Sequence, residues 1–301
     1  MLKRSNHALA ATIAALLSLG VAAPAHATPG DLYVSNGSNN TIEEFTPGGT
    51  MSVFANTGLS NPVGLAFDAA GNLYVANQGN STIERFTSGG VASVFANTGL
   101  SSPAGLAFDA AGNLYVSNSG NGTIERFTPG GVASVFASGL TGPQFLAFAS
   151  NGNLYVSQGG GFIEQITPGG TVSTFVSGVA GPLGLAFDAA GNLYAAQNNG
   201  TIEEITPSGT MSQFASVGTA TNRPVGLAFN AAGTLYASVR SSANIQAISP
   251  SGTVSTFATG LSGQNSFAFQ PLVANVPEPA SATVLALGLG GLGLVRRRQS
   301  A

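Results

Sequence analysis

The 301-residue chain has no cysteine and no tryptophan, and charged side chains occupy only 7% of its positions. Without cysteine there is no disulfide framework, so stability has to come from a packed core, although an oxidising compartment is permitted. Ordinary domains carry about 25% charged residues. A proportion this low implies that most faces are buried and that the surface is built from Ser, Thr, Asn, Gln and Gly. Lys3 is the one lysine, and His7 and His26 are the only histidines. Beyond residue 27 the chain therefore lacks the groups that most often serve as a general base or activate a nucleophile. Between Thr28 and Val276, four arginines stand against eleven carboxylates, a net −7. That sign disfavours a nucleic-acid backbone and an anionic lipid surface.

What is present begins at the two ends. Lys3 and Arg4 precede an apolar run from Ala8 to Ala23, and Ala25-His26-Ala27 supplies a small-x-small cleavage site. These are the three parts of a secretory signal peptide, so residues 1–27 are expected to be removed by signal peptidase. At the other end, Ala280 to Val295 is free of charge. As a helix it would be about 24 Å long, enough to span a bilayer with some thinning or snorkelling. Arg296, Arg297 and Arg298 follow at once and should stay cytoplasmic by the positive-inside rule. Both ends imply one topology, with the body of the protein exported and the C-terminal helix anchored transiently in the inner membrane.

The run Val276-Pro277-Glu278-Pro279, the apolar stretch and the arginine cluster together resemble the PEP-CTERM sorting signal of Gram-negative bacteria. The resemblance implies recognition by an exosortase, which cuts near the Pro-Glu-Pro motif and passes the protein to the cell surface or exopolysaccharide matrix. The logic is that of a GPI signal, in which a hydrophobic tail is an address that is later removed. A permanent one-helix anchor is the alternative.

Between the ends, Leu-Tyr recurs at Leu32-Tyr33, Leu73-Tyr74, Leu114-Tyr115, Leu154-Tyr155, Leu193-Tyr194 and Leu235-Tyr236, a period of about 40 residues. One unit, PVGLAFDAAGNLYVANQGNSTIERFTSGGVASVFANTGLS, divides into four short β-rich runs separated by Gly, Asn and Pro. Four strands at this period make a propeller blade, and six units make a six-bladed all-β propeller over residues 28–275. The first strand of the first unit is missing, and its counterpart is the isolated segment Ser266-Phe267-Ala268-Phe269-Gln270 near the end. Phe269 is expected to pair beside Leu32, completing the first blade with the last strand and leaving no open seam. The Pro-x-Gly, Asp, Gly-Asn and Thr-Ile pattern of each unit resembles NHL repeats from Asp31 to Gln270. That resemblance implies a six-bladed propeller, and NHL propellers include both enzymes and binding scaffolds.

Spacing separates two ends of the propeller. The first-to-second and third-to-fourth strand turns keep one length in every continuous unit, whereas the second-to-third turns and the connections between units vary. All the variable loops emerge on one side, the side where binding is expected. The constant Asp68-Ala69-Ala70-Gly71-Asn72 turn and its copies at Asp109 and Asp188 read as turn chemistry, Asp bonding the backbone two residues on. Acidic ligands are too sparse there for a calcium loop. Asn-x-Thr triplets such as Asn80-Ser81-Thr82 read as turns too. Glu43, Glu84, Glu125, Glu164 and Glu203 recur at one position in the third strand. Five copies point to a structural hydrogen bond or to pairing with Arg85 and Arg126, not to five catalytic acids.

The variable side carries Asn36, Asn77, Asn118, Gln158 and Gln197 at the ends of the second strands, with Gln144, Phe145, Arg223, Arg240 and Gln264 in the adjoining segments. These are the candidate ligand-binding residues. It has no Asp and no Glu, and Arg223 and Arg240 are expected to lie close together around the last blade. A gluconolactonase-like propeller would need carboxylates around a central metal, and a propeller like virginiamycin B lyase would need a histidine to move protons. Neither set is present, so no cofactor and no metal are expected. The reading is a non-catalytic surface-sorted propeller that binds or packs within an extracellular polymer, most plausibly polysaccharide. The alternatives are a passive matrix protein and a lactonase- or lyase-like enzyme acting on a small exported substrate.

Overall fold

The computed structural model describes residues 30–261 and 263–270. The expected signal peptide with Ala25 and Ala27, the Val276–Pro279 motif, the C-terminal helix and Arg296–Arg298 lie outside the described residues, as do the boundaries at 27 and 275. The described chain forms six four-stranded antiparallel sheets, and every blade is built from its innermost strand outward. Blade 1 runs Gln264–Phe269, Leu32–Asn36, Thr41–Phe45, Met51–Ala55, and blade 2 runs Pro62–Phe67, Leu73–Asn77, Thr82–Phe86, Ala92–Ala96. Blade 3 is Pro103–Phe108, Leu114–Asn118, Thr123–Phe127, Ala133–Ala137; blade 4 is Pro143–Phe148, Leu154–Gln158, Phe162–Ile166, Val172–Ser177. Blade 5 is Pro182–Phe187, Leu193–Gln197, Thr201–Ile205, Met211–Ser216; blade 6 is Pro224–Phe229, Leu235–Val239, Asn244–Ile248, Val254–Thr259. The ring closes as expected: Leu32 pairs with Phe269 and Tyr33 with Ala268.

Burial follows the position of each strand in its blade. The second strand has sheet on both faces and is buried at every residue in blades 1 to 5, whereas the outermost strands are exposed over their first half. The Tyr of the repeated Leu-Tyr pair is the joint between blades. Each of the six tyrosines stands edge-on to the Phe of its own blade's outermost strand and to the Phe ending the next blade's innermost strand. Centroid separations are 4.8–5.1 Å and planes cross at 72–89°, the geometry that aligns the positive ring edge with the negative face. Tyr236 bonds in this way to Phe269, so the joint also fastens the closing strand.

The constant turns are the Asx turns that the sequence implies. Asp68 Oδ1 accepts from the Ala70 and Asn72 amides at 2.9 Å, its Oδ2 accepts from Asn72 Nδ2 at 2.8 Å, and Gly71 supplies a φ of 81°. Burial pushes the Asp109 carboxyl up, but bonds from Asn113, Tyr115 and the Ala111 amide outweigh it and hold it below the usual range. Blade 1 has no such turn because its inner strands come from opposite ends of the chain. Gln270 N donates to Asp31 O at 3.0 Å, as Asp68 N does to Asn72 O, and acid and amide have exchanged places. Next to this seam Tyr33 donates its hydroxyl to Glu44 Oε1, and both side chains are buried.

The expected pairing of the repeated glutamates with arginine is not what forms. Glu84 and Arg85 are successive strand residues and so point to opposite faces. Arg85 and Arg126 approach Tyr74 and Tyr115 instead. Glu43 and Glu164 accept from Thr41 and Thr174 hydroxyls, and burial raises the Glu84 and Glu125 carboxyls.

Two measurements follow from this architecture. Tyr115→Ala removes one joint and should lower unfolding free energy by about 3–5 kcal/mol. Tyr115→Phe, which loses the hydroxyl contacts to Asp109 and Arg126 but keeps the ring, should cost about 1 kcal/mol; equal losses in urea titrations would contradict the joint. Burial raises the Glu44 carboxyl, and the charge and hydrogen bond of Asp31 raise it further, against bonds from Tyr33 and Ser52. The folded state thus holds that proton more tightly than the unfolded chain, so the stability Glu44 contributes is complete below about pH 4 and is lost as pH rises through its folded pKa. Glu44→Gln should flatten this decline between acid and neutral pH, and parallel curves for the two proteins would count against it.

Candidate functional site

The second-strand amides end each strand on the variable side, but they do not face solvent. Asn36, Asn77, Asn118, Gln158 and Gln197 are all 5% exposed or less. Asn77 Oδ1 accepts from Ser60 N at 3.1 Å, and its Nδ2 donates to Gly58 O at 2.9 Å and to Thr82 Oγ1 at 3.2 Å. Asn118 repeats this with Ser101, Gly99 and Thr123. Gln158 Oε1 accepts from Thr141 N, and Gln197 Oε1 from Ala180 N at 3.1 Å. The row of amides exists, and it clamps the loops that enter blades 2 to 5. This corrects the expectation that Asn77, Asn118, Gln158 and Gln197 offer their amides to a ligand, since they already bond the fold; Asn36 is buried like them.

One residue further along the chain the orientation reverses, as alternation in an extended strand requires. The residues following these strand ends are Gly37, Gln78, Ser119, Gly159, Asn198 and Arg240. Their backbone amides are tied to the incoming loops: Gln78 N to Asn61 O, Ser119 N to Ser102 O, Asn198 N to Ala180 O and Arg240 N to Arg223 O at 3.1 Å. Unlike the clamping amides, these positions differ from blade to blade. Gln78, Gly159, Asn198 and Arg240 line a cavity of about 290 Å³ at the mouth of the central channel, together with Gln144, Phe145, Arg223 and the apolar Val63, Pro182, Leu183 and Val225.

Four of the sequence candidates thus converge, namely Gln144, Phe145, Arg223 and Arg240. The expected proximity of the two arginines is realised through the Arg240–Arg223 backbone bond. Gln264 takes its place in the closing strand opposite Asn36. Gln78 and Asn198 were missed; their signal was that they vary where the neighbouring amide repeats. Asn198 Oδ1 is buried beside the cavity with no hydrogen-bond partner among the described residues. The lining contains no Asp and no Glu. Among the described residues, no group of three or more His, Cys, Asp or Glu side chains is placed to hold a metal.

The floor of the cavity is tight because glycine occupies the third position of most innermost strands. A Cβ on Gly64 would collide with Ala104 O, one on Gly105 with Gln144 O, and one on Gly184 with Val225 O. The strand amides at this level are met by serine hydroxyls: Phe145 N donates to Ser157 Oγ at 3.0 Å and Gly226 N to Ser238 Oγ at 2.8 Å. Blade 4 breaks the pattern with Phe145. At the opposite end a cleft of about 510 Å³ between blades 5 and 6 is lined by Phe187, Tyr194, Phe214 and Phe229. Those are the repeated joint residues, with no cation among them.

The model of the virginiamycin B lyase family matches residues 15–270, and that of the PEP-CTERM protein-sorting motif matches residues 275–299. No curated protein matches the chain. Among solved structures, a streptogramin B lyase superposes with a TM-score of 0.65 at 16% identity over 79% of this chain and 83% of that one. Virginiamycin B lyase from Staphylococcus aureus, in a variant made catalytically inactive by replacing a histidine with alanine and bound to quinupristin, gives 0.63 at 17% identity over 80% and 92%. A chain of the nidogen/laminin complex gives 0.70 at 21% identity over 80% and 99%. Identities this low establish the shared fold. The sorting motif marks the protein for export and membrane-associated sorting.

The amide clamps are tested by Asn118→Ala. It removes the bonds to the half-buried Ser101 amide and the exposed Gly99 carbonyl, which water can replace in part, and should lower stability by about 1 kcal/mol. An unchanged urea midpoint would mean that the amide is free for other work.

Proposed function

The chain belongs to the virginiamycin B lyase family, and from that premise we propose that it is a non-catalytic member, an exported propeller whose central mouth binds an acidic extracellular polysaccharide. The observation that carries this reading is the pair Arg223 and Arg240, fixed side by side at a cavity whose other polar groups are amides and which has no carboxylate. Charge-assisted bonds from guanidinium to carboxylate are strong and geometrically selective. Gln78, Gln144 and Asn198 add neutral donors and acceptors suited to sugar hydroxyls.

The absence of histidine, lysine and cysteine between residues 30 and 270, and of any carboxylate in the cavity lining, supports the non-catalytic reading. The Staphylococcus aureus lyase is inactive in a variant that lacks one histidine; between residues 30 and 270 this chain has no histidine, lysine or cysteine. Serine and threonine hydroxyls without a base are weak nucleophiles, and the two arginines stay protonated. Family membership favours the alternative, a lyase, and quinupristin, the compound bound to the inactive Staphylococcus aureus lyase, is the one with which to try it. The sorting motif supports delivery to the cell surface or matrix by an exosortase, with the arginine-capped tail as its address.

The test uses protein recovered from a host that carries an exosortase, with fractionation and intact mass reporting whether residues after Pro279 are gone. Tail-free protein in the matrix or medium is expected, and full-length protein confined to the membrane would contradict the destination. The recovered protein should bind acidic polysaccharides more tightly than neutral ones, and the double variant Arg223→Glu/Arg240→Glu should abolish the preference. Binding that ignores ligand charge, or opening of quinupristin, would overturn the reading.

A further inference from the structure

We infer that the mouth binds the end of an acidic chain, one terminal sugar acid inserted into a well, and that Phe145 is the residue that makes the well; this rests on the polysaccharide reading above. The geometry is that of a hole and not of a groove. Its lining comes from blades 2, 4, 5 and 6, so side chains of blade 2 and blade 5 face each other across the channel axis and the contacts converge from opposite sides. Its volume of about 290 Å³ suits one or two sugar units, at the lower limit of ordinary ligand pockets of about 300–1,000 Å³.

The well has a chemical gradient. Val63, Leu183, Val225 and Phe145 are apolar, while Arg223 and Arg240 come from the loops at the rim. A pyranose carboxylate matches this order, because its C–H face can rest on apolar side chains by dispersion while its carboxylate remains with the guanidinium groups. Phe145 is what distinguishes this floor from a plain propeller channel. The equivalent residues are Gly64, Gly105, Gly184, Gly226 and Ser266, and side chains at the first three would strike the neighbouring strand. In blade 4 an aromatic ring stands there instead. It is only 8% exposed, and its amide is anchored to Ser157. A large rigid side chain placed at the one level where the ring of strands otherwise carries almost none acts as a platform and sets the depth to which a ligand enters.

End insertion and lateral binding differ in stoichiometry. The exported protein is titrated calorimetrically with polygalacturonate in a short and a much longer fraction at equal uronate mass, and separately with galacturonate and with galactose. Sites counted per unit mass should rise with the number of chain ends, so the short fraction offers more. Galacturonate should compete with both fractions and galactose should not. Arg240→Gln, an exposed rim change, should weaken binding about tenfold. Phe145→Gly, which restores the residue of the other blades, should weaken it by a similar factor, while Phe145→Leu retains most of the affinity; equal melting temperatures exclude a folding effect.

Sites that scale with total uronate mass, or a Phe145→Gly protein that binds normally, would overturn end insertion while leaving the acidic-polymer reading standing. Failure of both fractions and of galacturonate to bind would sink this inference and count against the broader reading.

Discussion

Each blade is held to the next by one tyrosine set edge-on between two phenylalanines, and the propeller depends on that contact being made six times. It gathers the outermost strand of one blade, its second strand and the innermost strand of the following blade around a single ring. With low charge and no disulfides, the blades are fastened by packing of this kind, and the same joint secures the closing strand through Tyr236 and Phe269. Because the joints lie at one end of the blades, together with the constant Asx turns, the loops at the other end are free to differ.

That freedom is bounded by the amide clamps. Asn77, Asn118, Gln158 and Gln197 each fix the loop entering their blade, which makes the mouth a rigid frame on which the following residue is displayed. The family fold is thus retained intact, while the groups at its centre are two cations, several amides and a phenylalanine. A preorganised frame of this kind lowers the ordering cost of binding.

Much of the fold was legible because it repeats. Six Leu-Tyr pairs counted the blades, and the displaced Ser266–Gln270 segment announced the closure seen between Phe269 and Leu32. The site was half legible, and for a related reason. Repetition draws attention to Asn36, Asn77 and Asn118, yet a residue that recurs from blade to blade serves what the blades share: all three are buried, and Asn77 and Asn118 clamp the incoming loops. The cavity-lining neighbours Gln78 and Asn198 do not repeat, so no pattern marks them. Strand alternation would have placed them, just as it separates Glu84 from Arg85. Arg223 and Arg240 were legible because cations are so scarce that loop length alone brought them together.

The account's central claim is recognition without turnover, and the mass of a recovered ligand tests it most directly. A galacturonate oligomer incubated with the exported protein and then released should return with its mass unchanged after having bound. Recovery of shorter fragments, or of a product with a new double bond, would show that the mouth performs elimination and would place this chain among the active lyases of its family.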